Sequence, residues 1–329
     1  MLKILVIGYG SIGKRHVDNL LKMNNTEILV VTNQNYKSTK FCKFFKNIHD
    51  ALNEKPHAAI IANNTNEHMK TAVKLAKEKI DIFIEKPLSH SIIGMNELLT
   101  HTRKHNLVTM IGCNLRFHEN IICIKNLIEK KSIGRIISVQ AESGSYLPNW
   151  HPYENYRKSY ASNSKLGGGV ILTCIHEIDY LYWFFGSVKN IIARSGQFGN
   201  LKISAEDLST SIIEFKNGVI GEIHLDYLQQ SDIRRCKIIG TDGIIQWDST
   251  SNSVQLFSAR TKKWKQIYKI QNYDRNLMYE KEISHFIKCV NNRKQTINPL
   301  KEGFETLKIA LAIKKSSKLR RLVKIEKKF

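Results

Sequence analysis

Three glycines, Gly8, Gly10 and Gly13, limit what this chain can fold into more than any other feature. They follow Lys3-Ile4-Leu5-Val6-Ile7, a short apolar run rich in β-forming residues. They precede residues 14–21, where Val17, Leu20 and Leu21 recur at helical spacing. A buried strand, a tight turn and a helix start, in that order, make the frame that holds a dinucleotide pyrophosphate. Gly8 permits the sharp turn, Gly10 lets the backbone approach phosphate, and Gly13 lets helix and strand pack closely. Ser11 and Ile12 then carry N–H groups at the helix N-terminus, where an anion is favoured. Elsewhere the same spacing is an ordinary glycine turn; here the strand before it and the helix after it give it meaning.

The alternation continues. Residues 27–32, 57–62, 80–84 and 108–113 read as further strands, with helices over 67–78 and 91–105. Strands alternating with helices predict an α/β domain with a parallel, doubly wound sheet over residues 1–118. After Asn114-Leu115-Arg116-Phe117-His118 the pattern changes. A helix over 120–129 is followed by strands joined through Asn217-Gly218 and Asp242-Gly243, which are hairpin signals. Residues 254–257 and 264–270 read as another pair, and 278–291 and 301–317 as closing helices. This predicts an α+β second domain over 119–329 on a large, open, mainly antiparallel sheet, its last helix packing back on the first domain. An open sheet of that size leaves one face bare, and a second copy of the chain would cover it in a homodimer or homotetramer.

The net charge of +22 admits a nucleic acid or a small anionic substrate as partner. The lysines are spread along the chain with no aromatic-interleaved basic motif. Only residues 314–328 are dense in charge, as the solvated end of a helix would be. The balance favours a small-molecule anion and not a nucleic acid. Six scattered cysteines without a C-x-x-C pair, and no H-E-x-x-H, argue against a disulfide framework and a metal site. No apolar run reaches the ~18 residues that would span a bilayer. Residues 2–7 are too short for a signal-peptide core, so the expected location is the cytoplasm with no membrane partner.

Ligands of open α/β sheets bind beyond the carboxyl ends of the strands. Asn63-Asn64-Thr65-Asn66 and Glu85-Lys86-Pro87 lie there. Lys86 directly follows an apolar strand, which would aim its ammonium into the cofactor crevice or leave it in solvent. Further on, Leu166-Gly167-Gly168-Gly169 precedes a strongly apolar stretch, 170–185, of helical length. Thr173, His176, Asp179 and Trp183 form one stripe of it. A histidine with an aspartate one turn away is either held in one tautomer for catalysis or part of a core pair. The glycines beside it suggest room for a ligand. Residues 146–157 carry Trp150, Tyr153, Tyr156 and Arg157, which suit sugar stacking and an anionic group. Thr32-Asn33-Gln34-Asn35 stands where an acid would hold the ribose 2′-hydroxyl. Asn33 is the candidate contact, with Lys37 and Lys40 just beyond, so NAD or NADP is allowed.

Taken together, Gly8-x-Gly10-x-x-Gly13, Glu85-Lys86-Pro87 and Gly167-Gly168-Gly169 with His176-x-x-Asp179 resemble the Gfo/Idh/MocA oxidoreductase family. The likeness runs in order over nearly the whole chain, including His68, Asn114-x-Arg116 and residues 301–312. It implies a Rossmann domain, then a domain bearing substrate and oligomer contacts, and hydride transfer between nicotinamide and a sugar, polyol or related carbonyl. By the same resemblance Asn64, His68 and Glu85 join the cofactor site, and Arg116, Thr173 and Asp179 the substrate site. Lys86 would lie by the reacting carbon, often behind a cis Lys–Pro bond, and His176 would carry the proton. Residues 146–157 resemble a branch associated with bacterial surface-glycan assembly, which implies a nucleotide sugar or acidic sugar. One departure stands out. Many members carry an Asp where this chain has Thr173, and a hydroxyl holds no charge at neutral pH. That leaves a second reading, a cofactor-binding sensor without turnover.

Overall fold

The computed structural model describes residues 1–152 and 154–325, which divide into two units. Tyr153, one of the expected sugar contacts, lies outside the described residues. The first unit comprises Met1–Asn114 and Arg275–Phe304; the second comprises Leu115–Asp274 and Glu305–Phe329.

In the first unit the apolar runs form strands buried on both faces, as parallel sheets require. They are β1 (Leu2–Ile7), β2 (Thr26–Val31), β3 (Cys42–Phe45), β4 (Ala58–Ile61), β5 (Asp81–Glu85) and β6 (Thr109–Gly112). All pair in parallel in the order β3-β2-β1-β4-β5-β6. This is the doubly wound order, whose switch point lies between β1 and β4. The helices are α1 (Ser11–Leu21), α2 (Ile48–Asn53), α3 (Thr65–Lys77) and α4 (Met95–Lys104). The last is shorter than the periodicity suggested. Its N-cap, Gly94, has φ +86°, which stops the helix from extending back to residue 91. β3 and α2 were not expected.

The chain returns to this unit late. Helix α8 (Arg275–Asn292) lies on α1, with the Arg15 guanidinium 4.7 Å from the Tyr279 ring and Lys22 paired to Glu280 at 2.6 Å. Residues 293–303 then run along β6. Asn298 accepts from Ile111 N–H and donates its side-chain amide to Ile111 O, and Thr296 donates to Thr109 O. They cover what would be an open sheet edge.

The second unit is built on nine strands. They are β7 (Ile136–Gly144), β8 (Val188–Gly196), β9 (Leu208–Phe215), β10 (Ile220–Asp226), β11 (Ile233–Gly240), β12 (Gly243–Asp248), β13 (Ser253–Ser258), β14 (Lys263–Lys269) and β15 (Val323–Lys324). Their order is β14-β13-β12-β11-β7-β10-β9-β8-β15, antiparallel except for β7 beside β10. The hairpins form where Asn-Gly and Asp-Gly placed them, Gly218 taking φ +88°. Burial alternates along β9 and β12, so one face holds the core and the other is open. On the core side pack α5 (Glu119–Glu129), α6 (Val170–Thr173) and α7 (His176–Phe185). α9 (Leu300–Leu319) contributes residues to both units.

The single helix expected over 170–185 is two. Cys174 adopts φ −94° and ψ +37°, outside the α region, and the helix restarts at His176. Thr173 therefore ends one helix and His176 begins the next. No helix among the described residues is long and apolar enough to cross a membrane.

Candidate active site

The glycine turn behaves as its sequence implied, each glycine for its own reason. Gly8 has φ +97°, and a Cβ there would lie 2.6 Å from Ala62 O. At Gly13 a Cβ would lie 2.0 Å from Gly8 O, inside the turn's own backbone. At Gly10 nothing in the protein lies within 4 Å of the Cβ position. That position opens at the start of α1, whose N-cap is Gly10 itself, with no capping side chain and no acid in the first turn. The N–H groups of Ser11, Ile12 and Gly13 are thus not consumed by a side-chain cap, and the helix dipole favours an anion there. A dinucleotide pyrophosphate fits this cradle.

The neighbouring strand ends supply the other expected residues of this unit. Asn33 is exposed after β2, and Asn64 is the N-cap of α3 without a side-chain capping bond. His68 is 1% exposed and turned onto the protein backbone, Nδ1 at 2.9 Å from Pro87 O and Nε2 at 3.0 Å from Asn63 O. Burial pushes its pKa below the usual histidine value, outweighing those carbonyls. His68 therefore ties the turn after β4 to the turn after β5.

Glu85 has a similar task. Its carboxylate meets His16 Nε2 at 2.6 Å and accepts from Lys86 N–H at 3.1 Å. The Lys86–Pro87 bond is cis. His16 was not among the expected residues. The signal was available: a polar residue within the buried face of α1, beside Val17 and Leu20.

A second unexpected group stands at the end of β2. Tyr36 stacks on Phe44 at 5.0 Å and meets Tyr9 edge-on at 4.9 Å. The Lys14 ammonium lies 5.7 Å from the Tyr36 ring.

In the second unit, Arg116 and Asp179 come together, but on each other. Arg116 Nε and Nη2 donate to the two Asp179 oxygens, both at 2.9 Å, and the side chains are 0% and 1% exposed. Thr306 of α9 adds a hydrogen bond of 3.3 Å, and the guanidinium lies 5.5 Å from the Trp183 ring. The aspartate expected to orient His176 instead anchors α7. Beside it Glu177, fully buried, pairs with Arg234 at 2.8 Å. His176 and Thr173 are 8% and 4% exposed.

Gly168 and Gly169 do not open space for a ligand. A Cβ at Gly168 would lie 2.1 Å from Tyr160 O, and one at Gly169 2.3 Å from Glu206 Oε1. The turn over 160–163 and the Glu206 side chain fill the room. Trp150 donates to Ser145 Oγ at 2.7 Å and packs edge-on against Tyr227. Tyr156 donates to Leu201 O at 3.1 Å, and Arg157 lies over its ring at 5.4 Å. Among the described residues no group of three or more His, Cys, Asp or Glu side chains is placed to share a metal ion.

Comparison with known proteins agrees with both halves. Residues 2–113 match the NAD-binding Rossmann fold of the Gfo/Idh/MocA oxidoreductases, and residues 125–325 match that family's C-terminal alpha/beta domain. The chain is 25% identical to myo-inositol 2-dehydrogenase of Thermotoga maritima, covering 99% of each. It is also 25% identical to an uncharacterized oxidoreductase, YrbE, of Bacillus subtilis, covering 94% of this chain and 93% of that one. Among solved structures, levoglucosan dehydrogenase in complex with NADH superposes with a TM-score of 0.87 at 17% identity, covering 99% of each chain. At that identity the likeness shows the fold.

Proposed function

The chain belongs to the Gfo/Idh/MocA oxidoreductase family, and we propose that it moves a hydride between a nicotinamide dinucleotide and a ring CH–OH of a sugar, nucleotide sugar or cyclitol. The uncapped start of α1, with an empty Cβ position at Gly10, carries the cofactor half of this reading. Relatives named for inositol and levoglucosan support a polyhydroxylated ring as substrate.

The nicotinamide gives or takes the hydride; the rest falls to the chain's own residues. When a hydroxyl is oxidised its proton must leave, and when a carbonyl is reduced its oxygen gains charge that must be met. Lys86, whose ammonium follows β5, is proposed to hold that oxygen electrostatically. His176 is proposed to exchange the proton. Arg116 and Asp179 act at one remove, fixing the helix that begins with His176. Thr173, Trp150, Tyr156 and Arg157 are proposed to meet the substrate's other hydroxyls, Thr173 as a neutral donor or acceptor. Where many members have an acid, that hydroxyl favours a second reading, a sensor that binds cofactor without turnover. Assaying reduced-nicotinamide formation with inositols, levoglucosan, free sugars and nucleotide sugars separates the two. Tight cofactor binding with no turnover on the whole panel would favour the sensor.

The cofactor half has its own test. Gly10→Val is expected to fold, because no protein atom occupies the Cβ position, and to weaken dinucleotide binding by about 100-fold. Unchanged affinity in a fluorescence titration would remove the pyrophosphate from this turn.

A second copy of the chain is the proposed cover for the open sheet face. That face exposes Ile192, Ile212 and Ile220, each at 40% or more. Arg235 and Lys237 on β11 and Glu142 and Glu222 on β7 and β10 line a concavity of about 700 Å³ there. Both signs on one patch suit a self-complementary contact. Light scattering should give a multiple of 37.9 kDa for the wild type and a smaller mass for Ile212→Arg. A monomeric wild type at micromolar concentration would rule the contact out.

A further inference from the structure

Both nicotinamide dinucleotides present the same pyrophosphate, so the glycine turn does not choose between them. The choice is made at the carboxyl end of β2, where an acid takes the ribose 2′-hydroxyl of one and a cation takes the 2′-phosphate of the other. Residues 32–46, from the end of β2 through β3, contain no Asp or Glu and four lysines, Lys37, Lys40, Lys43 and Lys46.

Their surroundings separate these lysines. Lys43 is committed, paired with Glu27 at 2.9 Å and Glu54 at 3.2 Å. Lys46 meets no carboxylate among the described residues. Its ammonium donates to Asn33 O and Gln34 O, each at 3.1 Å, and to the Asn35 side-chain oxygen. It is therefore held at the loop that directly follows β2, on neutral acceptors that an anion could outbid.

Lys14 comes to the same place from α1. Its ammonium lies 5.6 Å from the Tyr9 ring and 5.7 Å from the Tyr36 ring. The loop is already ordered: Thr32 Oγ1 accepts from Gln34 N–H at 3.2 Å, and the Tyr36 hydroxyl donates to Gln34 Oε1 at 2.8 Å. Tyr36 is itself stacked on Phe44.

We infer that this loop is a 2′-phosphate site, with Lys46 and Lys14 as its cations and Tyr36 as a hydroxyl beside them, so that the chain prefers NADP(H) to NAD(H). A bare ribose diol finds no carboxylate here to accept its hydroxyl protons. A phosphate dianion finds the Lys46 ammonium on neutral acceptors and the Lys14 ammonium beside the Tyr9 and Tyr36 rings. Each charge-assisted hydrogen bond gained favours the phosphorylated dinucleotide by about 10-fold. The inference rests on the reading of the first unit as a dinucleotide site and adds which dinucleotide it takes.

The test is binding, measured on the full-length protein. NADPH and NADH are titrated by fluorescence, and 2′,5′-ADP and 5′-AMP by calorimetry, the second pair isolating the phosphate from the nicotinamide. NADPH and 2′,5′-ADP should each bind at least about 10-fold tighter than their counterparts, with the gap narrowing as salt rises. Lys46→Ala and Lys14→Ala should each narrow it, and Asn33→Asp should turn it toward NADH. Equal or tighter binding of NADH overturns the inference and leaves the dehydrogenase reading standing. Binding of neither dinucleotide overturns both. A preference for NADPH that survives both lysine substitutions unchanged overturns the assignment to this loop.

Discussion

Lys86→Ala and His176→Ala should each lower kcat by about 100-fold or more while leaving dinucleotide affinity nearly unchanged. The lysine's proposed share is electrostatic: charge grows on the substrate oxygen as the hydride moves, and a fixed ammonium would meet it without solvent having to reorganise. The histidine's proposed share is the proton, which an imidazole can both accept and return. The two proposed roles belong to one chemical step, so the losses should not multiply. The double variant should retain far more than the product of the single losses predicts. Lys86→Arg sharpens the point, since it keeps the charge but changes its shape and reach. Wild-type turnover by both single variants, with the substrate the panel identifies, would make Lys86 and His176 structural.

Asp179→Ala is expected to cost about 3–5 kcal/mol of stability, because it breaks a buried ion pair from one side. The substitution leaves the Arg116 guanidinium buried at 0% exposure without its carboxylate. The charge of a buried arginine cannot be relieved by losing a proton at any ordinary pH. The same reasoning gives the control. Replacing both members with apolar residues of similar volume, Arg116→Met with Asp179→Leu, removes the charge and its need together, and should recover most of the loss. Urea unfolding of the three proteins measures this directly. A midpoint for Asp179→Ala within about 1 kcal/mol of wild type would mean that water reaches the pair in solution.

What could be read from the sequence was what local chemistry decides. Gly8, Gly10 and Gly13 act through their own backbones, and Asn217-Gly218 and Asp242-Gly243 turn chains as such pairs do anywhere. The apolar runs became a parallel sheet because strands buried on both faces need no polar alternation. What escaped was decided by distant partners. Asp179 lies one turn from His176, yet its oxygens belong to Arg116, 63 residues away. The break at Cys174 carries no glycine or proline to mark it, and burial on both sides of it kept the apolar pattern unbroken. β3 has only four residues with a lysine among them, and it is a strand because β2 offers it an edge. The lysines and the tyrosine after β2 read as loop composition; only the fold brings Lys14 of another element to the Tyr36 ring.

The return of residues 275–304 to the first unit bears on how the chain is made. During synthesis the first 114 residues emerge complete with glycine turn and strand ends, but without the segment that covers β6 and the helix that lies on α1. At ribosomal speeds the remaining stretch up to residue 304 takes roughly 10–40 s to appear. For that interval the flank of α1 that later meets α8 and the edge of β6 are left uncovered, so the nascent chain is a natural client for a chaperone. A chain stopped before residue 275 should aggregate, however well its glycine turn is formed.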